Sequence, residues 1–133
     1  MKRMNVSMIF DKNKKNILMC KREKEPYKNL YNMVGGKIES DDTLNEAYRE
    51  IYEETGITRD DIELIHFMNM TYVKWGFDLE IYYGELNKDV ELVEEVNKLY
   101  WISVDENFFD KNKFAGEGNI GHMLESIRID MER

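Results

Sequence analysis

The feature that most constrains this chain is an amphipathic helix predicted over residues 43–55, TLNEAYREIYEET. At about 100° per residue, the apolar side chains fall on one face and the charged side chains on the opposite face. The apolar face consists of Leu44, Ala47, Tyr48, Ile51 and Thr55, and the charged face of Glu46, Arg49, Glu50, Glu53 and Glu54. A helix of this kind must bury its apolar face against another layer, and we expect that layer to be a sheet.

The charged face places carboxylates on neighbouring turns, which costs stability unless a cation neutralises them. Each like-charge i,i+4 pair costs a few tenths of a kcal/mol. Arg49 alone cannot balance four carboxylates, and Glu53 and Glu54 lie near the C-terminal end, where the helix dipole disfavours anions. Carboxylate oxygens suit Mg²⁺ or Mn²⁺, and no His or Cys is present in the cluster to favour zinc. The pattern predicts a divalent-cation site, with a solvated acidic surface as the alternative.

Strands are predicted on both sides of this helix. The predicted strands are residues 4–10, 17–22, 30–34, 62–75, 77–86 and 99–104, and a closing helix is predicted over 120–133. Gly35-Gly36 is predicted to end the third strand, Asp41 or Asp42 to cap the acidic helix, and Gly56 to end it. Residues 88–98 fit either a loop or a short helix. The interleaved order predicts an α+β fold, an α/β/α sandwich with a mixed sheet flanked by helices, in a single domain over 1–133.

Charge and composition exclude several kinds of partner. The chain has 133 residues and a formal net charge of −8, which argues against nucleic-acid polymers and anionic membranes. A small polyanion remains compatible with this charge if metal ions bridge the two negative partners. The lone Cys20 fits a reducing compartment, and no apolar run approaches the roughly 18 residues of a membrane helix. We therefore expect a cytoplasmic protein without a membrane partner.

The stretch GGKIESDDTLNEAYREIYEETGI (35–57) resembles the signature of the Nudix hydrolases, G-x5-E-x7-R-E-U-x-E-E-x-G-U, in which U is bulky and apolar. The defining positions are occupied by Gly36, Arg49, Glu50, Ile51, Glu53, Glu54, Gly56 and Ile57. There are two departures. Asp42 stands where the signature has Glu, and six residues instead of seven separate it from Arg49. These departures concern the role of Asp42 and leave the cluster from Arg49 to Glu54 complete.

The resemblance implies Mg²⁺-dependent hydrolysis of a nucleoside diphosphate linked to another group, with Mn²⁺ as a possible substitute. It also implies catalytic roles for Arg49, Glu50, Glu53 and Glu54, and metal ligation by the Gly35 carbonyl and the carboxylates of Glu50, Glu53 and Glu54. One of these glutamates acts as the base, and the resemblance does not say which. Arg49 is expected to orient Glu50 or Glu53 rather than to contact substrate.

A further acid from outside the helix completes the metal site in many members of the family. The candidates in this chain are Glu94 and Glu95, shortly before Trp101, and we prefer Glu95. The alternative, that these two acids are solvated loop charges, weighs about equally.

Residues outside the signature must select the substrate. In MutT-type members, which remove oxidised purine nucleoside triphosphates, an Asn three residues before the Gly-Gly pair can bind the base, and Asn32 stands there. An Asn amide offers a donor and an acceptor to a purine edge. Glu117, in the Gly-rich segment FAGEGNIGH (114–122), resembles an acid that reads the base. Turn closure by Asn32 and a surface role for Glu117 are the alternatives. The other predicted substrate-binding residues are Gly36, Lys37 and Arg22.

The predicted reaction converts a purine nucleoside triphosphate, including an oxidised one such as 8-oxo-dGTP, to the monophosphate and pyrophosphate. ADP-ribose or another nucleoside diphosphate sugar is the alternative substrate. A non-catalytic nucleotide-binding module is a third interpretation, which the intact set of Glu50, Glu53 and Glu54 disfavours.

Overall fold

The computed structural model describes residues 1–133 and contains six strands and two helices. The strands are β1 (Lys2–Phe10), β2 (Asn16–Lys21), β3 (Tyr31–Lys37), β4 (Ile65–Tyr72), β5 (Phe77–Glu85) and β6 (Leu99–Ser103), and the helices are α1 (Thr43–Thr55) and α2 (Asn119–Met131). The strands form one sheet in the order β4-β5-β1-β3-β2-β6. β1 pairs in parallel with β5, and every other pair is antiparallel, so the sheet is mixed. Neither helix is long and apolar enough to cross a membrane.

Each face of the sheet carries its own core because side chains alternate along a strand. On one face, Met8 of β1 belongs to a cluster of 17 buried residues that includes Met123 and Ile127 of α2. On the other face, Ile9 belongs to a cluster of 10 buried residues that includes Ile51 of α1. The two helices therefore cover opposite faces, and the predicted α/β/α sandwich is confirmed.

The predicted bounds of the acidic helix agree with α1, and its caps explain why. Asp42 is the N-cap and accepts the Asn45 N–H at 3.2 Å. Gly56 ends the helix in the left-handed region with φ 79°, and its N–H donates to the Tyr52 carbonyl. Other bounds differ: β3 continues through Gly35 and Gly36, β4 begins only at Ile65, and residues 88–98 form no helix.

The distribution of side chains around α1 corrects the predicted faces at two positions. Leu44, predicted to pack on the sheet, is 42% exposed, and Ala47 is the first apolar residue of α1 that reaches the core. Glu46, predicted to face solvent, is only 4% exposed. A buried carboxylate requires charged or hydrogen-bonding partners, and Glu46 finds them in Arg49 and in the backbone N–H of Glu39.

Candidate active site

A cavity of about 390 Å³ has two chemically different walls. The first, which we call the carboxylate wall, consists of Gly35, Gly36 and Glu54. The second, the aromatic wall, consists of Tyr27, Tyr72, Trp75 and Phe77. A cavity of this size, apolar in one part and polar in another, is suited to a small-molecule ligand.

The two glycines of the carboxylate wall are required by close contacts with neighbouring groups. A Cβ on Gly36 would collide with the carboxylate of Glu50, and a Cβ on Gly35 would collide with the backbone carbonyl of Asn5. The Gly36 N–H donates to Asn5 Oδ1 at 3.2 Å. Asn5 also lines the cavity, and its buried Nδ2 has no hydrogen-bond partner. Sequence reasoning missed Asn5, although a polar residue within the apolar run MNVSMIF was an available signal.

Arg49 connects the carboxylates of α1 to one another. Its Nε donates to Glu46 Oε2 at 2.7 Å, its Nη2 to Glu50 Oε1 at 3.1 Å, and its Nη1 to the two oxygens of Glu53 at 3.0 and 3.1 Å. Arg49 does not line the cavity. It contacts both of the carboxylates that it was expected to orient, so its side chain fixes Glu50 and Glu53 relative to each other.

Glu50 and Glu54 carry charges that the protein itself leaves incompletely neutralised. Burial, reinforced by the charge of Glu50, raises the pKa of Glu54 to about 7, although the Gly35 N–H acts in the opposite direction. Burial also raises the pKa of Glu50 against the lowering effect of Arg49. Burial disfavours the ionised form of both half-buried carboxylates, and a bound cation would favour that form. The pair is therefore suited to binding a cation.

The carboxylates of Glu50, Glu53 and Glu54 are oxygen donors of the kind that bind a magnesium ion. No three carboxylate, imidazole or thiol side chains converge closely enough to enclose a metal ion by themselves. Mg²⁺ does not need such an enclosure, because it usually keeps several waters and is bound by one or two carboxylates together with substrate phosphates. Glu50 and Glu54 would supply those carboxylates, and Glu53 stands beside them on α1.

Five of the predicted site residues line the cavity, namely Arg22, Asn32, Gly35, Gly36 and Glu54. Arg22 Nε donates to the Pro26 carbonyl at 2.6 Å. Asn32 Oδ1 accepts the N–H of Met33 at 2.8 Å, while its Nδ2 donates to no group of the protein and is free to meet a ligand.

The remaining predicted site residues, Lys37, Arg49, Glu50, Glu53, Glu95 and Glu117, do not line the cavity. Glu117 accepts the Tyr27 hydroxyl at 3.2 Å and lies 3.9 Å from Lys74 Nζ, so it connects two segments beside the aromatic wall. Glu94 accepts the N–H of Leu99 at 2.7 Å. Glu95 is exposed and forms no hydrogen bond or ion pair.

The aromatic wall is built from two pairs of rings. Tyr72 and Phe77 stack with 5.1 Å between ring centroids, and Tyr27 meets Trp75 edge to face at 5.6 Å. Rings of this kind can stack on a nucleobase. Tyr31, although next to Asn32, belongs to a different group of rings and packs against Tyr100 and Phe114. Local sequence carried no signal that Tyr27, from the loop between β2 and β3, would join the three rings around the β4–β5 turn.

The carboxylates of α1 and the Gly35-Gly36 pair define the class of protein. A family profile described as the NUDIX domain matches residues 1–123. The chain therefore belongs to the Nudix family. It is a hydrolase of the type that acts on nucleotide pyrophosphate bonds, and such enzymes generally use divalent metals such as Mg²⁺.

Solved structures share the fold at low sequence identity. An Ap4A hydrolase from C. elegans is 18% identical with a TM-score of 0.75, over 97% of this chain and 98% of that one. A MutT structure from work on Aliivibrio salmonicida and Vibrio cholerae is 20% identical with a TM-score of 0.67, over 92% and 95%. A MutT/nudix family protein from Enterococcus faecalis is 18% identical with a TM-score of 0.65, over 77% of this chain and only 43% of its own length. No curated protein sequence matches the chain.

Proposed function

We propose that the protein is a Mg²⁺-dependent pyrophosphohydrolase of purine nucleoside triphosphates, with oxidised purines such as 8-oxo-dGTP among its substrates. The products are the nucleoside monophosphate and pyrophosphate. The observation that carries the proposal is that one cavity has both a carboxylate wall and an aromatic wall, so a single ligand can meet both. A nucleotide has the matching pair of parts, a flat base and a metal-binding phosphate chain.

Cationic side chains around the cavity support a phosphate-bearing ligand. Lys2, Arg22 and Lys24 line it, so Arg22 borders the same cavity as Glu54 of the carboxylate wall. A guanidinium group can hold phosphate oxygens through two parallel hydrogen bonds. We assign Arg22 to binding the phosphate chain.

The chemistry follows from the carboxylates of α1. Glu50 and Glu54, with Glu53 beside them, would hold a magnesium ion, which would neutralise the phosphate charge. Water attacks a phosphorus atom, the bond between the α and β phosphates breaks, and the proton of the water passes to a carboxylate. Glu54 lines the cavity, which supports it as the acceptor of that proton. Arg49 holds Glu50 and Glu53 in position without entering the cavity.

Asn32 and the aromatic wall are the proposed contacts for the base. The unengaged Nδ2 of Asn32 can donate to a purine acceptor, and its Oδ1 would have to leave the Met33 N–H to accept in turn. Replacement of Asn32 by Ala should therefore reduce the discrimination between bases more than it reduces turnover. An equal loss on every nucleotide would exclude Asn32 as a base-reading residue.

A nucleotide panel tests the substrate class. The purified protein is incubated with Mg²⁺ and dGTP, 8-oxo-dGTP, ATP, dCTP, ADP-ribose, UDP-glucose or Ap4A, and the products are separated by ion-exchange chromatography. We expect monophosphate and pyrophosphate from the purine triphosphates. Sugar phosphate released from ADP-ribose, with no pyrophosphate from any triphosphate, would instead establish the nucleoside diphosphate sugar alternative.

Two controls identify the activity as that of this site. Removal of metal with EDTA should abolish turnover, and added Mg²⁺ or Mn²⁺ should restore it. Glu54→Gln should be inactive while still binding nucleotide. If the unaltered protein bound a triphosphate but hydrolysed none of the panel, the non-catalytic interpretation would replace the proposal.

A further inference from the structure

Glu46 is the one acid among the buried residues of a chain with 27 Asp and Glu residues. Its Oε1 accepts the Glu39 N–H at 2.6 Å, and its Oε2 accepts Arg49 Nε at 2.7 Å. The Arg49 guanidinium, together with the Glu39 N–H, holds the pKa of Glu46 below its usual range. This carboxylate therefore has partners on two sides, one in the loop that precedes α1 and one on α1.

The contact with Glu46 determines how the guanidinium of Arg49 is oriented. Nε donates to Glu46 Oε2 at 2.7 Å, and Nη2 donates to Glu46 Oε1 at 3.3 Å. Nη2 also donates to Glu50, and Nη1 remains for Glu53. Nη2 also lies 3.4 Å from the Lys37 carbonyl. Without Glu46, the positive charge would be free to move towards Glu50 and Glu53. Both belong to the group of carboxylates assigned to the proposed cation.

The two acids that could match the family signature by position have other roles. Asp42 caps α1 through the Asn45 N–H. Asp41 stands at the signature interval of eight residues before Arg49, but its side chain is fully exposed and its nearest cation is Arg3 at 3.8 Å. Neither contacts Arg49. The position that the signature assigns to an acid in the preceding loop is therefore not used to hold the arginine in this chain.

We propose that Glu46 is a positioning residue for the reaction: from the first turn of α1, it holds both Arg49 and the loop 38–42, and so presents Glu50 and Glu53 to the metal. The proposal rests on the proposed function only for its kinetic readout. The loss of an indirect partner of a metal ligand typically costs 10–100-fold in metal affinity or activity. Changes at Asp41 and Asp42 should cost almost nothing.

The test compares three acid-to-amide variants, Glu46→Gln, Asp42→Asn and Asp41→Asn. Gln keeps the acceptor for the Glu39 N–H but loses the charge that holds Arg49, and Asn remains a good N-cap at position 42. We expect Glu46→Gln to lower kcat by roughly 10–100-fold with little change in KM for dGTP. Asp42→Asn and Asp41→Asn should stay within about twofold, well below the 10–100-fold expected of an indirect metal-ligand partner. A loss with Asp42→Asn as large as with Glu46→Gln would overturn the proposal.

Two measurements without nucleotide separate this inference from the substrate proposal. Mn²⁺ affinity, followed by electron paramagnetic resonance, should weaken by roughly 10–100-fold in Glu46→Gln, even if the unaltered protein released no pyrophosphate. Exchange of the Glu39 amide hydrogen should accelerate in Glu46→Ala and remain slow in Glu46→Gln. If Glu46→Gln lowered the melting temperature but left Mn²⁺ affinity and kcat per folded molecule unchanged, Glu46 would be a structural residue only.

Discussion

The two walls of the cavity differ in how the chain builds them. The carboxylate wall comes from one continuous stretch, the end of β3 and the helix α1 that follows it. The aromatic wall joins Tyr27, in the loop after β2, to Trp75, in the turn between β4 and β5. The proposed metal site is therefore encoded locally, whereas the proposed contacts for a base depend on long-range packing that can change independently of the metal site.

The largest expected effect concerns the carboxylate wall. Glu54→Gln removes a carboxylate that the proposed metal site needs while keeping the shape of the side chain. Turnover should fall by more than about 100-fold, since indirect partners of metal ligands alone account for 10–100-fold. Glu53→Gln should also lower kcat severely with the fold intact. The measurement is kcat in saturating Mg²⁺, with Glu125→Gln on the exposed face of α2 as the control. Near-normal turnover in both variants would show that the metal-site assignment is wrong.

A smaller loss is expected when the same wall is disturbed sterically. Gly36→Ala introduces a Cβ that collides with the Glu50 carboxylate. A displacement of about 1 Å at an active site can cost on the order of 100-fold in rate, so we expect a 10–100-fold lower kcat with little change in KM. Glu50→Asp shortens the colliding side chain. The double variant should therefore lose less activity than the product of the two single losses. Strictly multiplicative losses would contradict the steric explanation.

The bounds of α1 were predicted correctly because the residues that determine them lie within or beside the helix. The 3.6-residue periodicity, the cap at Asp42 and the terminal Gly56 all lie within or beside the helix. The inward position of Glu46 could not be predicted, since it depends on the Glu39 N–H, which is supplied by a loop whose path the sequence does not reveal. Helical periodicity alone assigns such a residue to the solvent face.

The glycine pair shows that local sequence also fails to predict a strand when tertiary contacts decide its length. Gly35-Gly36 normally indicates a break, yet β3 continues through both residues. Pairing with Val6 and Asn5 of β1 keeps them in the ladder. Glycine is needed there because Glu50 and the Asn5 backbone come close, which is a tertiary requirement. The aromatic wall is a further example: Tyr72, Trp75 and Phe77 lie together around the β4–β5 turn, but Tyr27 joins them from the loop between β2 and β3.

Substitutions in the aromatic wall should change substrate binding, measured as KM, and leave kcat nearly unchanged. Base–aromatic stacking is worth about 1–3 kcal/mol per base, so Trp75→Ala should raise KM for dGTP by at least roughly fivefold and leave kcat nearly unchanged. The chain offers a matched control, because Trp101 is exposed to almost the same extent, 37% against 38%, and does not line the cavity. Trp101→Ala should leave both constants unchanged. Equal effects of the two substitutions would mean that the aromatic wall does not bind the base.

The smallest expected effect is on the stability of the metal-free protein. Burial raises the pKa of Glu54 from 4.5 to about 7 in the folded state. A carboxyl with a raised folded pKa favours folding while it is protonated, and this contribution is lost as the pH rises through the folded pKa. Glu54→Gln avoids the cost of ionisation. Its stability advantage over the unaltered protein should therefore grow by roughly 2 kcal/mol, or several degrees in Tm, between pH 5 and pH 8.

Thermal unfolding in EDTA at the two pH values measures this difference, and Glu125→Gln again controls for the removal of a carboxylate from an exposed helix position. Added Mg²⁺ should then reverse the order at pH 8, because a cation that binds the ionised Glu54 stabilises only the unaltered folded protein. The carboxylate wall would thus be destabilising when empty and stabilising when filled, which is the behaviour of a site selected for metal binding rather than for the stability of the fold. An advantage of Glu54→Gln that did not change with pH, or that persisted in Mg²⁺, would show that the ionised carboxylate is tolerated without a metal ion.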